Sequence, residues 1–134
     1  IPGGGSRNPP SEEMLKNKQH LVHMVGKDVF LAAVRRLSEA ALVALERNHM
    51  SGGDVDWVIP HQANIRILEA VQQRLQIPME RFFINIDRTA NTSSASVPIA
   101  LDQAVRAGKV RDNQSLLFCA LGGGIAWGSA MVRW

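Results

Sequence analysis

Val55-Asp56-Trp57-Val58-Ile59-Pro60-His61-Gln62 is the stretch on which the fold reading turns. Val55 to Ile59 is a short apolar run rich in Val, Ile and Trp, the composition of a buried strand. Pro60 ends it, because a proline has no N–H to give to a ladder. From Gln62 to Gln76 the period changes. Ile65, Leu68, Val71, Gln72 and Leu75 fall along one side, while Arg66, Glu69 and Gln73 lie near the other. That is the pattern of a helix, closed by Ile77-Pro78. A strand that hands over directly to a helix is the unit of layered α/β architecture. His61 stands at the junction, where such folds often carry their functional groups.

Upstream, Gly26 to His49 is helical, with Val29, Ala33, Leu37, Ala40, Ala41 and Leu45 on one face and Ser51-Gly52-Gly53 as the stop. Residues 1–19, rich in Gly, Pro, Asn, Lys and Ser with a Pro9-Pro10 pair, read as loop. Residues 1–25 are thus taken as an N-terminal loop and connecting segment, and 26–134 as the folded domain. Downstream, Phe82 to Ile86 is a second strand candidate, followed by the small polar string Asp87 to Ser96. A third helix is expected from about Ala95 to Ala107, with Pro98 in its first turn and Gly108 as its stop. Ser115 to Leu121 and Ile125 to Arg133 read as two further strands around Gly122-Gly123-Gly124, a hairpin or a bulged bend. The expected class is α/β, a mixed sheet covered by helices.

Composition narrows the function. The 134 residues are 46% hydrophobic, enough for a core, and contain no apolar run of membrane-spanning length. A net charge of +3 with no tyrosine is a poor match to a nucleic-acid binder, so neither nucleic acid nor membrane is expected as a partner. The mild basic balance suits an acidic protein or a phosphate-bearing partner. One cysteine, Cys119, excludes an internal disulfide and fits a reducing compartment. It follows Leu116-Leu117-Phe118 and reads as a small buried hydrophobe. His20, His23 and His49 have no metal-ligand spacing, and no metal site is expected. Ile1 to Ser6 has neither the basic nor the apolar region of a secretory signal, and reads like the middle of a longer protein.

Two residues stand out chemically. His61 follows the first strand, and Asn91 follows the second strand candidate. If those strands are neighbours, an imidazole N–H and an amide N–H converge and form a cradle for a developing enolate or oxyanion. The plainer readings remain open at this point: Asn91 as a turn or cap residue, His61 as a solvated loop residue. The three glycines make a tight turn, or let backbone N–H groups approach a ligand.

Three strings carry a resemblance. Pro60-His61-Gln62-Ala63-Asn64, Asn91-Thr92-Ser93-Ser94-Ala95-Ser96-Val97-Pro98 and Gly122-Gly123-Gly124-Ile125-Ala126-Trp127-Gly128-Ser129 resemble, in order and separation, segments of the β-ketoacyl-acyl-carrier-protein synthase III family. The resemblance implies a thiolase-like fold, of which this chain is the C-terminal αβαβα half of a pseudo-two-fold pair. It implies a cytoplasmic homodimer that initiates fatty acid synthesis by decarboxylative Claisen condensation. His61 and Asn91 match the His and Asn of the family's Cys–His–Asn triad. The cysteine is expected in the N-terminal half of the same synthase, and Cys119 does not match it. Gly123 matches the oxyanion hole, and Asn64 and Gly26 match positions along the CoA or pantetheine tunnel. Arg66 and Arg74 match positions that dock the acidic acyl carrier protein. No cofactor is implied beyond acyl-CoA and phosphopantetheine-linked substrates. Ala90 replaces the usual glycine, Lys27 an asparagine and Leu121 an aromatic residue. A synthase of polyketide or quinolone pathways shares these motifs, and a non-catalytic thiolase-like interaction domain is the rival class.

Overall fold

The run around Val58 forms a short strand buried on both faces. In the computed structural model, which describes residues 1–134, β1 (Trp57–Pro60), β2 (Ser115–Gly122) and β3 (Ala126–Arg133) make one sheet in the order β1-β2-β3. β1 runs parallel to β2, with Val58 opposite Leu117 and Pro60 opposite Cys119. β3 returns antiparallel, with Gly122 opposite Ala126. Side chains alternate across the sheet. Val58, Leu117 and Cys119 enter one core, while Ile59 and Leu116 enter the other, with Trp57 and Phe118 packed against it.

The helices are α1 (Glu12–Lys16), α2 (Gly26–Arg47), α3 (Ile65–Leu75), α4 (Ile86–Thr89) and α5 (Ser96–Arg106). α2 and α3 cover the first face. α2 buries Ala33, Val34, Leu37, Ala41, Ala44 and Leu45, and α3 buries Ile67, Leu68, Val71 and Leu75. The buried stripe of α3 is rotated from the sequence reading: Ile67 is inside, and Ile65, the first helical residue, is exposed. α5 covers the opposite face through Ser96, Ala100 and Ala104, spaced by four so that they share one side. Small residues there let the helix lie close to Ile59 and Leu116. The result is a helix–sheet–helix sandwich, as the α/β reading expected.

The structure departs from the sequence reading in two places. Phe82 to Ile86 does not form a strand. Phe82 makes an isolated parallel bridge to Val58, and the Phe83 N–H donates to the Val58 carbonyl at 2.9 Å. Beyond that, side chains take over the role of a ladder. Gln62 Nε2 donates to the Phe83 carbonyl, and the Asn85 N–H donates to Gln62 Oε1. With its backbone groups satisfied by an amide, the segment turns at once into α4. The second departure lies in residues 1–19, where Ser11 accepts the Met14 N–H at 3.0 Å and caps the short helix α1, with Met14 buried. Smaller shifts are local. α3 starts at Ile65 because Asn64 caps it, and the hairpin loop takes in Ile125, so β3 starts at Ala126.

Candidate functional site

β1 positions His61. Its N–H donates to the Cys119 carbonyl at 2.8 Å, carrying the parallel pairing one residue past Pro60. The side chain is 9% exposed. Its Nδ1 lies 2.5 Å from Ser96 Oγ, in the first turn of α5. Burial holds the His61 pKa below the usual imidazole value, because desolvation disfavours the cation. The ring is therefore neutral near pH 7.

Asn91 reaches the site by another route. It follows α4 on an exposed loop, and the Ser93 N–H donates to its Oδ1 at 3.0 Å. This turn occupies the carbonyl end of the amide and leaves the Nδ2 hydrogens free to donate. The residue before it, Ala90, has φ 54° and ψ −162°, a region that glycine occupies far more readily than alanine.

His61, Asn91 and Gly122 to Gly124 line one open cleft of about 1120 Å³, with Ala63, Ile67, Val97, Leu121 and Ile125 among its apolar walls. An imidazole, an amide and the glycine bend thus border one open cleft. A neutral ring donor, an amide donor and exposed backbone N–H groups can together stabilise negative charge on an oxygen. The other expected residues lie elsewhere. Asn64 caps α3, its Oδ1 accepting the Arg66 N–H at 2.9 Å, and is not among the cleft-lining residues. Gly26 is the exposed first residue of α2 and also lies outside the lining. Arg66 and Arg74 stand exposed on α3 without a carboxylate partner. Cys119 is buried, and desolvation pushes its thiol up to about 12; it is inert as a nucleophile.

Sequence reasoning assigned no role to the residues that hold this arrangement. Gln62 is wholly buried, its Nε2 donating to the carbonyls of Pro60 at 3.0 Å and Phe83 at 3.1 Å. Ser96 touches both His61 and the Gln62 N–H. The available signal is a Gln two residues past the end of an apolar strand, a position too deep for an unpaired amide.

The family described as "3-Oxoacyl-[acyl-carrier-protein (ACP)] synthase III C terminal" matches residues 45–134. The chain belongs to this family. It is 42% identical over all of its length to a β-ketoacyl-acyl-carrier-protein synthase III of Clostridioides difficile, spanning 41% of that protein. Against a relative of the same name from Desulfitobacterium hafniense the identity is 45%, over 40% of that protein. The crystal structure of the Aquifex aeolicus 3-oxoacyl-acyl-carrier-protein synthase III superposes with a TM-score of 0.82 at 43% identity, covering 84% of this chain and 36% of that one. The thiolase-like fold is thereby shown. The chain spans about two-fifths of the length of the curated relatives it matches. No helix is long and apolar enough to cross a membrane.

Proposed function

We propose that this chain supplies the decarboxylation half of a condensing acyltransferase active site, with His61 and Asn91 as its paired donors. The observation that carries the reading is that both groups border one cleft beside the Gly122–Gly124 bend, each with a donor end available. A cysteine in an N-terminal half of the same synthase takes an acyl group from acyl-CoA. Malonyl-acyl carrier protein then enters. Its carboxylate C–C bond breaks, carbon dioxide leaves, and the electron pair moves onto the thioester oxygen as an enolate. His61 and Asn91 donate to that oxygen. The enolate carbon attacks the acyl thioester, and the cysteine leaves as thiolate. The Gly123 N–H stabilises the oxyanion formed in acyl transfer. Neutral donors suit this chemistry because the charge to be balanced arises only in the transition state.

The remaining assignments complete the proposal. Asn64 and Gly26 belong to the approach of the pantetheine arm in the assembled enzyme. Arg66 and Arg74, free and on one helix, dock the acidic carrier protein. The working form is a cytoplasmic homodimer that starts fatty acid chains, and this chain alone is inactive. The test is Asn91→Ala in the complete synthase. Carbon dioxide release falls by on the order of a hundredfold or more, while acyl transfer from acyl-CoA to the cysteine persists. Undiminished carbon dioxide release removes Asn91 from the mechanism.

A further inference from the structure

A neutral histidine has one proton and two places to keep it. Which nitrogen holds it is set by the hydrogen bond at the other. His61 serves as a donor toward the cleft only with its proton on Nε2, because Nδ1 is engaged by Ser96. The surroundings of Ser96 decide the matter. Its side chain is 1% exposed. The Gln62 N–H donates to its Oγ at 3.3 Å, which uses the oxygen as an acceptor. The only other partner of that oxygen is Nδ1 of His61. A protonated Nδ1 leaves the buried hydroxyl hydrogen with no acceptor, a state native interiors avoid. An unprotonated Nδ1 accepts that hydrogen, and every group is satisfied.

We propose that Ser96 is a positioning residue whose buried hydroxyl donates to Nδ1 of His61 and so keeps the imidazole proton on Nε2, facing the reaction. The fold supports this placement. Ser96 is the first residue of α5 and shares a buried stripe with Ala100 and Ala104, the face by which α5 lies against Ile59. The packing of α5 on β1 therefore fixes the distance between the hydroxyl and the ring. The same hydroxyl caps the Gln62 N–H, so the turn carrying His61 and the donor orienting its ring are tied at one atom.

This inference rests on the donor role proposed for His61, and its test separates the two. In the complete synthase with isotope-labelled histidine, NMR of the wild-type protein finds His61 in the Nε2–H form. Ser96→Ala shifts it toward a mixture of tautomers. Carbon dioxide release from malonyl-acyl carrier protein falls by on the order of tenfold to a hundredfold in kcat, as for other partners that orient a functional histidine, with KM little changed. Ser96→Thr, which keeps the hydroxyl, restores most of the rate. A wild-type His61 in the Nδ1–H form overturns the proposal and needs no variant to fold. An unaltered Nε2–H form in Ser96→Ala overturns it too, whatever the rate. A changed tautomer with an undiminished rate supports the Ser96 assignment and removes His61 from the donor pair instead.

Discussion

The two sides of the cleft are built by opposite strategies. His61 sits on the rigid side: it closes a parallel strand pair, its ring is 9% exposed, and Ser96 holds one nitrogen. Asn91 sits on a loop, exposed, oriented by one local bond from the Ser93 N–H and preceded by a residue in a left-handed conformation. Burial favours the neutral form of the histidine, which ties its placement to the core. The amide has no charge state to control, and needs only one end anchored so that the other points outward. One site thus draws precision from tertiary packing on one wall and from local backbone geometry on the other.

The contrast makes its largest prediction for paired truncations. In the complete synthase His61→Ala and Asn91→Ala each reduce carbon dioxide release by roughly a hundredfold or more. Only the first also lowers the denaturant midpoint, because it empties a buried position, whereas the second removes one exposed turn contact. Equal losses of stability in the two variants break the division between the walls. The next effect belongs to Gln62. Replacing it with Ala strips partners from the Phe83 carbonyl and the Asn85 N–H, and from Pro60 on the strand that carries His61. We expect a stability loss of about 3 kcal/mol, the scale for several buried polar groups left unpaired. A loss near zero in chemical denaturation shows that the 83–85 segment holds itself.

This division also explains what the sequence makes legible. The helices, the hairpin around the three glycines and a strand in this region follow from periodicity and turn chemistry, which are local, although the strand forms as Trp57–Pro60, with Pro60 inside it, rather than as Val55 to Ile59. The sequence reading that brings His61 and Asn91 together assumes neighbouring strands; the two border one cleft, although the second strand does not form. Phe82 to Ile86 has strand composition, yet its fate depends on Gln62, some twenty residues earlier in sequence. No window along the chain contains both. Ser96 was hidden for the same reason: as one of several small polar residues in Thr92 to Ser96, it acquires a role only when α5 docks on β1. Ala90 is the exception. Its conflict with a position that favours glycine is visible in the motif, and its φ of 54° shows the left-handed geometry directly.

That strain gives a smaller prediction, specific to the loop wall. Ala90→Gly removes the unfavourable contact of a Cβ in this region, worth roughly 1–3 kcal/mol, and adds flexibility to the unfolded chain, which offsets part of the gain. The net expectation is stabilisation of about 1 kcal/mol in denaturant titration of the complete synthase. A destabilised Ala90→Gly protein shows that alanine sits there without strain and that Asn91 is held by more than its turn.

The smallest effect concerns the rigid wall and is read in pH. Burial keeps the folded pKa of His61 below 6.5, the ordinary value. Above 6.5 the folded and unfolded chains are both neutral at this residue, and it contributes no pH dependence. As pH falls below 6.5 the unfolded chain takes up a proton that the folded state resists, so stability declines until the folded pKa is passed. Carbon dioxide release behaves in the matching sense. Its rate is expected to hold through 6.5 and to drop only at the lower, folded value, since the donor role proposed for His61 needs an uncharged ring. Asn91→Ala shifts neither limb, because the carboxamide does not titrate. A rate profile whose acid limb is centred at or above 6.5 indicates a His61 exposed to water when substrate binds, and places both groups on the same exposed footing.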